Sequence, residues 1–401
     1  MVSRQRGALE ERCGRQSIPA RRVILERMVV AEAIVLASAA FILYVIAAYP
    51  LLLAAMARRR ERPQPASSWL PTVSVVLPVY NGEAFLRAKL ATLAALDYPP
   101  DRVRILVISD GSSDATDELA ASAAQGNVEL IRVPHRGKPA ALNAGMARAT
   151  GEVLFFTDVR QELSPNALRV LTARLADPNV GAATGELVIR QGAGSEGAGL
   201  YWKYELFIRS RLSRIGMLQG ATGCIYAMRR KDAVQVPEDI LADDVYLPLA
   251  AFFRGKRIVL DASAKAYDYP TELGIEFRRK VRTLAGVYQI LGAYPRVLWS
   301  RGWFHFASHK LGRLLLPFAL LALLISSAWV SGPLRFPLIA CQAAVYGLAL
   351  ADAALPRAFP LKRVTAAASA FVVLMAAALC AAFALFAPSR TLWKRTTVRQ
   401  T

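Results

Sequence analysis

Gly151-Glu-Val-Leu-Phe-Phe-Thr-Asp-Val-Arg-Gln161 is the stretch around which the chain is organised. Val153 to Phe156 is a run of apolar, β-favouring residues that is followed at once by Thr157 and Asp158. Such a run reads as a short buried strand delivering one carboxylate to its C-terminal end. Two further runs behave alike. Val103 to Ser109 ends in Asp110, and Val73 to Leu77 ends in Pro78-Val-Tyr-Asn-Gly-Glu83. Open α/β sheets hold their ligands at that edge. Three strands therefore aim polar residues at one crevice.

Helical stretches separate these strands. Glu83 to Leu96 follows the first, and Pro139 to Ala149 leads into the third. After the second, Asp110-Gly-Ser-Ser-Asp114 reads as a turn into a helix, with Ser113 or Asp114 as its N-cap. A further strand, Val128 to Val133, precedes the basic loop His135-Arg-Gly-Lys138. Strands alternating with helices predict a mostly parallel sheet. Beyond Asp158 the alternation weakens. A helix over Pro165 to Leu175, a strand over Gly181 to Arg190, a glycine-rich loop from Gly192 to Gly199 and an aromatic, charged helix from Leu200 to Ile215 follow.

The composition adds a membrane. The chain has 401 residues, 54% hydrophobic, and a formal net charge of +20. Residues 33–56, 314–334 and 364–389 carry no charge, and 336–356 carries only Asp352. Each can cross a bilayer core, which takes about 20 helical residues. The first run exceeds the roughly 7–15 residues of a signal-peptide core, so it reads as a retained anchor. The expected organisation is a polar segment (1–28), a first span (29–57), a catalytic domain (70–275), amphipathic interface helices (276–310), three further spans (311–388) and a basic tail (389–401). Pro63, Pro65 and Pro71 with Ser67 and Ser68 form the linker after the first span. Much of the positive charge flanks the spans, at Arg58, Arg59, Arg60 and Arg62 and at Arg357, Lys362 and Arg363. Such clusters set orientation and meet anionic lipid. No nucleic-acid motif accompanies them. Cys13, Cys224, Cys341 and Cys380 lie too far apart for a metal or disulfide framework.

Four motifs in order carry a resemblance: Val73 to Glu83, Ser109-Asp-Gly-Ser-Ser-Asp114, Gly137-Lys-Pro-Ala-Ala-Leu-Asn-Ala-Gly145 and Phe156-Thr-Asp158. Together they resemble the nucleotide-sugar motifs of family 2 glycosyltransferases, which have the GT-A fold, an α/β, Rossmann-like architecture. The flanking spans resemble the membrane-integral branch of hyaluronan, cellulose and poly-N-acetylglucosamine synthases. The resemblance implies that Pro78, Tyr80, Glu83 and Asp110 hold the nucleoside and that Lys138 reaches a phosphate. It implies Mg²⁺ or Mn²⁺ at Asp158. It places the proton-accepting base at Asp244 with Asp243 in support, and the acceptor at the loop Gly220-Ala221-Thr222-Gly223. Arg279-Lys-Val-Arg-Thr283 stands where the polysaccharide synthases carry Gln-x-x-Arg-Trp, which implies diphosphate contacts from Arg279 and Arg282.

Elementary chemistry is compatible with these roles. A carboxylate such as Asp110 accepts hydrogen bonds from a base or ribose. Two adjacent carboxylates raise one another's pKa, and a base must take the acceptor's proton. Plainer readings compete: turn and cap chemistry for Asp110 and Asp114, a solvated lysine at Lys138, a helix cap at Asp243 or Asp244, and a plain turn at Gln219 to Gly223. Two sites depart from the family pattern. Asp158-Val-Arg160 replaces Asp-x-Asp, so Arg160 contacts phosphate or pairs with Glu162. Thr283 replaces a tryptophan that would stack on sugar, which weakens the case for a processive polymerase.

The sequence thus predicts an inverting transferase that moves a sugar from a nucleotide sugar, a UDP-sugar by the resemblance, to a glycan or lipid-linked acceptor. Its soluble domain would face the cytosol at a bacterial inner membrane. That topology leaves basic Lys394 and Arg395 outside, against the positive-inside tendency. Two alternatives stand: transfer of one sugar to a lipid phosphate carrier, and a catalytically silent scaffold of a polysaccharide export complex.

Overall fold

The computed structural model describes residues 27–58, 69–190, 196–269, 273–330, 332–356 and 359–384. The start of the polar segment, the Pro63–Ser68 linker, the first residues of the glycine-rich loop and the basic tail lie outside these residues.

Eight strands form one sheet: β1 (Val73–Val79), β2 (Val103–Asp110), β3 (Val128–Val133), β4 (Val153–Phe156), β5 (Glu162–Leu163), β6 (Val180–Ile189), β7 (Tyr226–Arg229) and β8 (Arg257–Asp268). Their spatial order is β3-β2-β1-β4-β7-β6-β8-β5. The first four run parallel, with Val73 opposite both Val103 and Val153. The common start brings the C-terminal ends of β1, β2 and β4 to one edge. β7 is antiparallel to both β4 and β6, which ends the parallel half of the sheet.

β4 is buried throughout, as its unbroken apolar run requires. Phe155 points into one buried cluster with Leu77 and Leu168, and Phe156 into the other, where it stacks on Tyr226 at 4.6 Å. This second cluster is continuous with the apolar helices. It joins Ile108 and Leu154 of the sheet to Ile208, Leu247 and Ile290, and then to Leu53 and Ala378. One hydrophobic core therefore ties the sheet to the apolar helices.

Among the described residues, three helices are long and apolar enough to cross a bilayer: Arg27–Ala57, Trp303–Ser327 and Lys362–Phe383. The fourth apolar stretch forms a shorter helix, Arg335–Ala351, of 17 residues, which at 1.5 Å per residue reaches only about 25 Å against a core of about 30 Å. The helix of the second long stretch begins at Trp303, inside the segment expected to hold only interface helices. Ahead of it lie a 21-residue amphipathic helix, Leu273–Ala293, and a short 3-10 turn, Pro295–Trp299.

Candidate active site

The crevice is built where β1, β2 and β4 end. The loops after β1 and β2 are laced together. Asn81 has φ 49°, and its Oδ1 accepts from Ser113 N at 2.8 Å. Gly82 N donates to Thr116 Oγ1 at 2.8 Å. Glu83 and Asp114 cap one another's helices: Glu83 Oε2 accepts from Ala115 N at 2.9 Å, and Asp114 Oδ2 accepts from Glu83 N at 3.2 Å. Asp114 also accepts from Thr116 N at 3.0 Å. Burial would raise its pKa, but these donors hold it below the usual carboxylate value.

Asp110 is 3% exposed. Its carboxylate accepts from Arg136 N at 2.9 Å and from Gly137 N at 3.0 Å, and His135 Nδ1 lies 3.0 Å from it. Gly137, at φ 95°, lets the loop fold over that carboxylate. The loop in turn lays His135 against Tyr80, ring centroids 4.1 Å apart and nearly parallel. Tyr80 keeps 40% of its surface open, so the pair offers a flat aromatic face at the crevice rim. Pro78 lies near the end of β1.

Lys138 opens the helix Lys138–Arg148 and points into the crevice. Its Nζ lies 3.0 Å from Asp158 Oδ1 and 3.3 Å from Asp243 Oδ2. Burial alone would lower its pKa, but Asp158, Asp243 and Asp244 outweigh burial and hold the ammonium charged. Burial likewise pushes Asp158 up, and Lys138 more than reverses it. Asp243 resolves the other way. It is 4% exposed, and burial, aided by Asp244 and Asp158, pushes it up to about 6 despite Lys138.

Asp243 and Asp244 occupy the first turn of the helix Asp243–Phe253. Asp244 is the more open of the two. The loop Gln219 to Gly223 wraps against it. Ala221 N donates to Asp244 O at 2.8 Å, and a Cβ on Gly223 would fall 3.1 Å from Asp244 Oδ2. Gly220 lies against Val245. Thr222 is turned away: its Oγ1 donates to Gly185 O at 3.0 Å. From the interface helix, Arg282 falls within electrostatic reach of Asp158, Asp243 and Asp244.

Arg160 pairs with neither Glu162 nor Asp158. Its guanidinium is bonded to Asp268, which is fully buried at the end of β8 and also accepts from Gln161 Nε2 at 2.9 Å. Arg279 approaches the same carboxylate at 4.0 Å, while Glu162 pairs with Arg190. A divalent ion at Asp158 would therefore find one carboxylate, 38% exposed, already bonded through one oxygen to Lys138. Among the described residues no group of three or more His, Cys, Asp or Glu could hold a metal. Among the described residues the site thus offers few carboxylates, which suits an ion drawing most of its oxygens from a diphosphate and water.

Sequence reasoning missed Lys89. It is 1% exposed and donates to Thr157 Oγ1 at 2.6 Å and Gln161 O at 2.8 Å, directly beneath Asp158. Burial lowers its pKa to about 8, and Asp158 is among the groups that oppose the drop. The signal was present, since Lys89 falls on the apolar face shared by Leu86 and Leu93.

Residues 74–236 match the family model for glycosyl transferase family 2. The probable glycosyltransferase YdaM of Bacillus subtilis is 32% identical over 29% of this chain and 30% of its own length. Poly-β-1,6-N-acetyl-D-glucosamine synthase of Staphylococcus aureus is 27% identical over 55% of this chain and 56% of its own. The chain thus spans about half, or less, of the length of the curated relatives it matches. Among solved structures, a mannosyltransferase of Pyrobaculum calidifontis in complex with GDP-Man and Mn²⁺ superposes with a TM-score of 0.72 at 21% identity, covering 89% of this chain and 99% of that one. Motif order, sheet topology and these comparisons converge: the chain carries a family 2 glycosyltransferase domain of GT-A fold.

Proposed function

We propose that the protein transfers a glycosyl group, with inversion, from a nucleoside diphosphate sugar to a hydroxyl or phosphate of a glycan or lipid-linked acceptor at the cytosolic membrane face. The observation that supports this reading best is the ammonium of Lys138 held between Asp158 and Asp243, beside Asp244 and the glycine loop.

Each residue has work in such a reaction. The Tyr80–His135 face stacks the base, and donors folded over Asp110 shape its rim. Lys138 and Arg282 offset the charge that develops on the departing diphosphate. A divalent ion held by Asp158 would supply further neutralisation of that leaving group. Asp244, more open than Asp243 and flanked by small residues, takes the proton of an acceptor hydroxyl as the anomeric carbon is attacked. Asp243 keeps Lys138 aligned. Transfer of a single sugar to a lipid phosphate is the second reading. It is favoured by Thr283, whose hydroxyl donates to Arg279 O at 2.9 Å and so offers no stacking surface for a growing polymer.

The test is release of nucleoside diphosphate by the detergent-purified full chain from UDP-sugars and GDP-mannose, with Mg²⁺, Mn²⁺ or EDTA, in added membrane lipid. Turnover of one donor, abolished in Asp244→Asn, is the expected outcome. Loss in EDTA shows that a divalent ion takes part, and persistence leaves neutralisation to Lys138 and Arg282. Neither turnover nor nucleotide binding with any donor would overturn the transferase and leave the scaffold.

A further inference from the structure

A second charged cluster lies between the helix Glu196–Arg214 and the second span, away from the strand ends. Glu205 is 7% exposed, and its Oε2 lies 2.6 Å from Arg313 Nη1 and 3.3 Å from His309 Nε2. Around this carboxylate stand three basic side chains, Arg209, Lys310 and Arg313. Burial pushes Glu205 up, but Arg313 and His309 overcome it and hold the group well below the usual range, so the carboxylate is ionised. These basic groups outnumber the one carboxylate paired within the cluster. Arg209 Nη2 is buried without a hydrogen-bond partner. Among the described residues neither Arg209 nor Lys310 forms an ion pair. Excess positive charge withdrawn from water is costly unless an anion completes it.

The backbone is special at the same level. Phe306–Leu311 is π-helical, and so is Tyr44–Ala48 of the first span. Tyr44 Oη and Ser308 Oγ bridge the two at 2.6 Å, and Gly312 admits Val45. Such turns inside α-helices are rare and occur frequently at functional sites. This one turns His309 and Lys310 toward Glu205. The cluster also communicates with the catalytic crevice, since Asp244 acts electrostatically on both Arg209 and Lys310. An anion held here would lie beside the start of the second span, in the electrostatic field of the proposed base.

We propose that Arg209, Lys310 and Arg313 form a subsite for the phosphate or diphosphate headgroup of a lipid, which anchors the acceptor with its tail along the spans. Its role as an acceptor anchor rests on the transferase reading above, whereas its existence as an anion site rests on the buried charge alone. A lipid is favoured over a soluble ion because the cluster sits on the first turns of the second span, whose next turns expose Leu315 and Phe318.

The probe is farnesyl monophosphate added to the detergent-purified full chain, with farnesol and inorganic phosphate as controls. Farnesyl phosphate should raise the melting temperature, as any ligand of the folded state does, while farnesol and phosphate should not. Arg209→Gln and Lys310→Gln should each weaken its binding by about tenfold or more, equivalent to about 1.4 kcal/mol, and Arg209→Lys should restore part of it. Because each neutral variant removes uncompensated charge, its melting temperature without ligand should match or exceed that of the parent. Equal binding by the variants, or equal stabilisation by farnesol, overturns the subsite. Equal affinity for inorganic phosphate overturns the lipid assignment. Nucleotide binding on the same preparations separates the two readings: UDP or GDP binding without farnesyl phosphate binding fails the subsite alone, and the reverse fails the transferase alone.

Discussion

At the scale of single residues, the crevice is decided by which carboxylate loses the contest between burial and Lys138. Asp158 keeps part of its surface and a short contact to the ammonium, so it stays ionised. Asp243 has almost no surface and two like-charged neighbours, so its pKa rises to about 6. The consequence for stability has a definite sign. A carboxyl whose folded pKa is raised holds its proton more tightly when folded, so its favourable contribution exists at low pH and is lost as pH climbs through about 6. Asp243→Asn, which mimics the protonated form, should therefore raise the melting temperature more at pH 8 than at pH 5. A thermal scan at both values checks this, and an equal shift would contradict the assignment.

At the scale of elements, the loops expected to meet a ligand also scaffold one another. Glu83 and Asp114 close two helix ends reciprocally, and Asp110 supports the loop carrying His135 and Gly137. Glu83→Ala and Asp114→Ala should each cost about 1 kcal/mol of stability, the usual value of a lost cap, measured by denaturant titration of the full chain. Arg160 shows the same principle more sharply. Its partner Asp268 is fully buried, and removing one member of such a pair costs about 3–5 kcal/mol. Arg160→Ala should therefore lose stability of that order. A variant with parental stability and weaker donor binding would return Arg160 to the phosphate.

At the scale of the molecule, sheet, interface helix and spans share a core, so geometry set in one part reaches the others. The loop Gln219–Gly223 abuts the start of the second long apolar helix: Gln219 Nε2 donates to the carbonyl of Gly302, the residue before Trp303, at 3.0 Å. A Cβ on Gly302 would come 2.2 Å from that nitrogen and 2.9 Å from Phe252 Cζ. Gly302→Ala should then displace the loop beside Asp244, lowering turnover more than donor affinity, as steady-state kinetics over a donor series would reveal. Tyr246 and Tyr294 stack at 4.5 Å and couple the helix bearing Asp243 and Asp244 to the end of the interface helix in the same way.

What the sequence by itself determined is everything that depends on neighbours in the chain. Apolar runs ended by Asp110 and Asp158 define strands and the edge they share, and long uncharged stretches define apolar helices, three of them long enough to cross a bilayer, because both signals are local periodicities of one hydrophobic pattern. The ordered motifs extended this to the family. Tertiary structure decided the pairings between distant residues: Arg160 with Asp268, Lys89 with Thr157, and Glu205 with His309 and Arg313. Each joins groups far apart in the chain, and the sheet order β4-β7-β6-β8 or the packing of a helix on a span brings them together. Whether a charged side chain is a ligand, a cap or a buried counter-ion depends on how much water it retains and which charge it meets. Both are properties of the packed interior, where the low dielectric makes a single partner decisive.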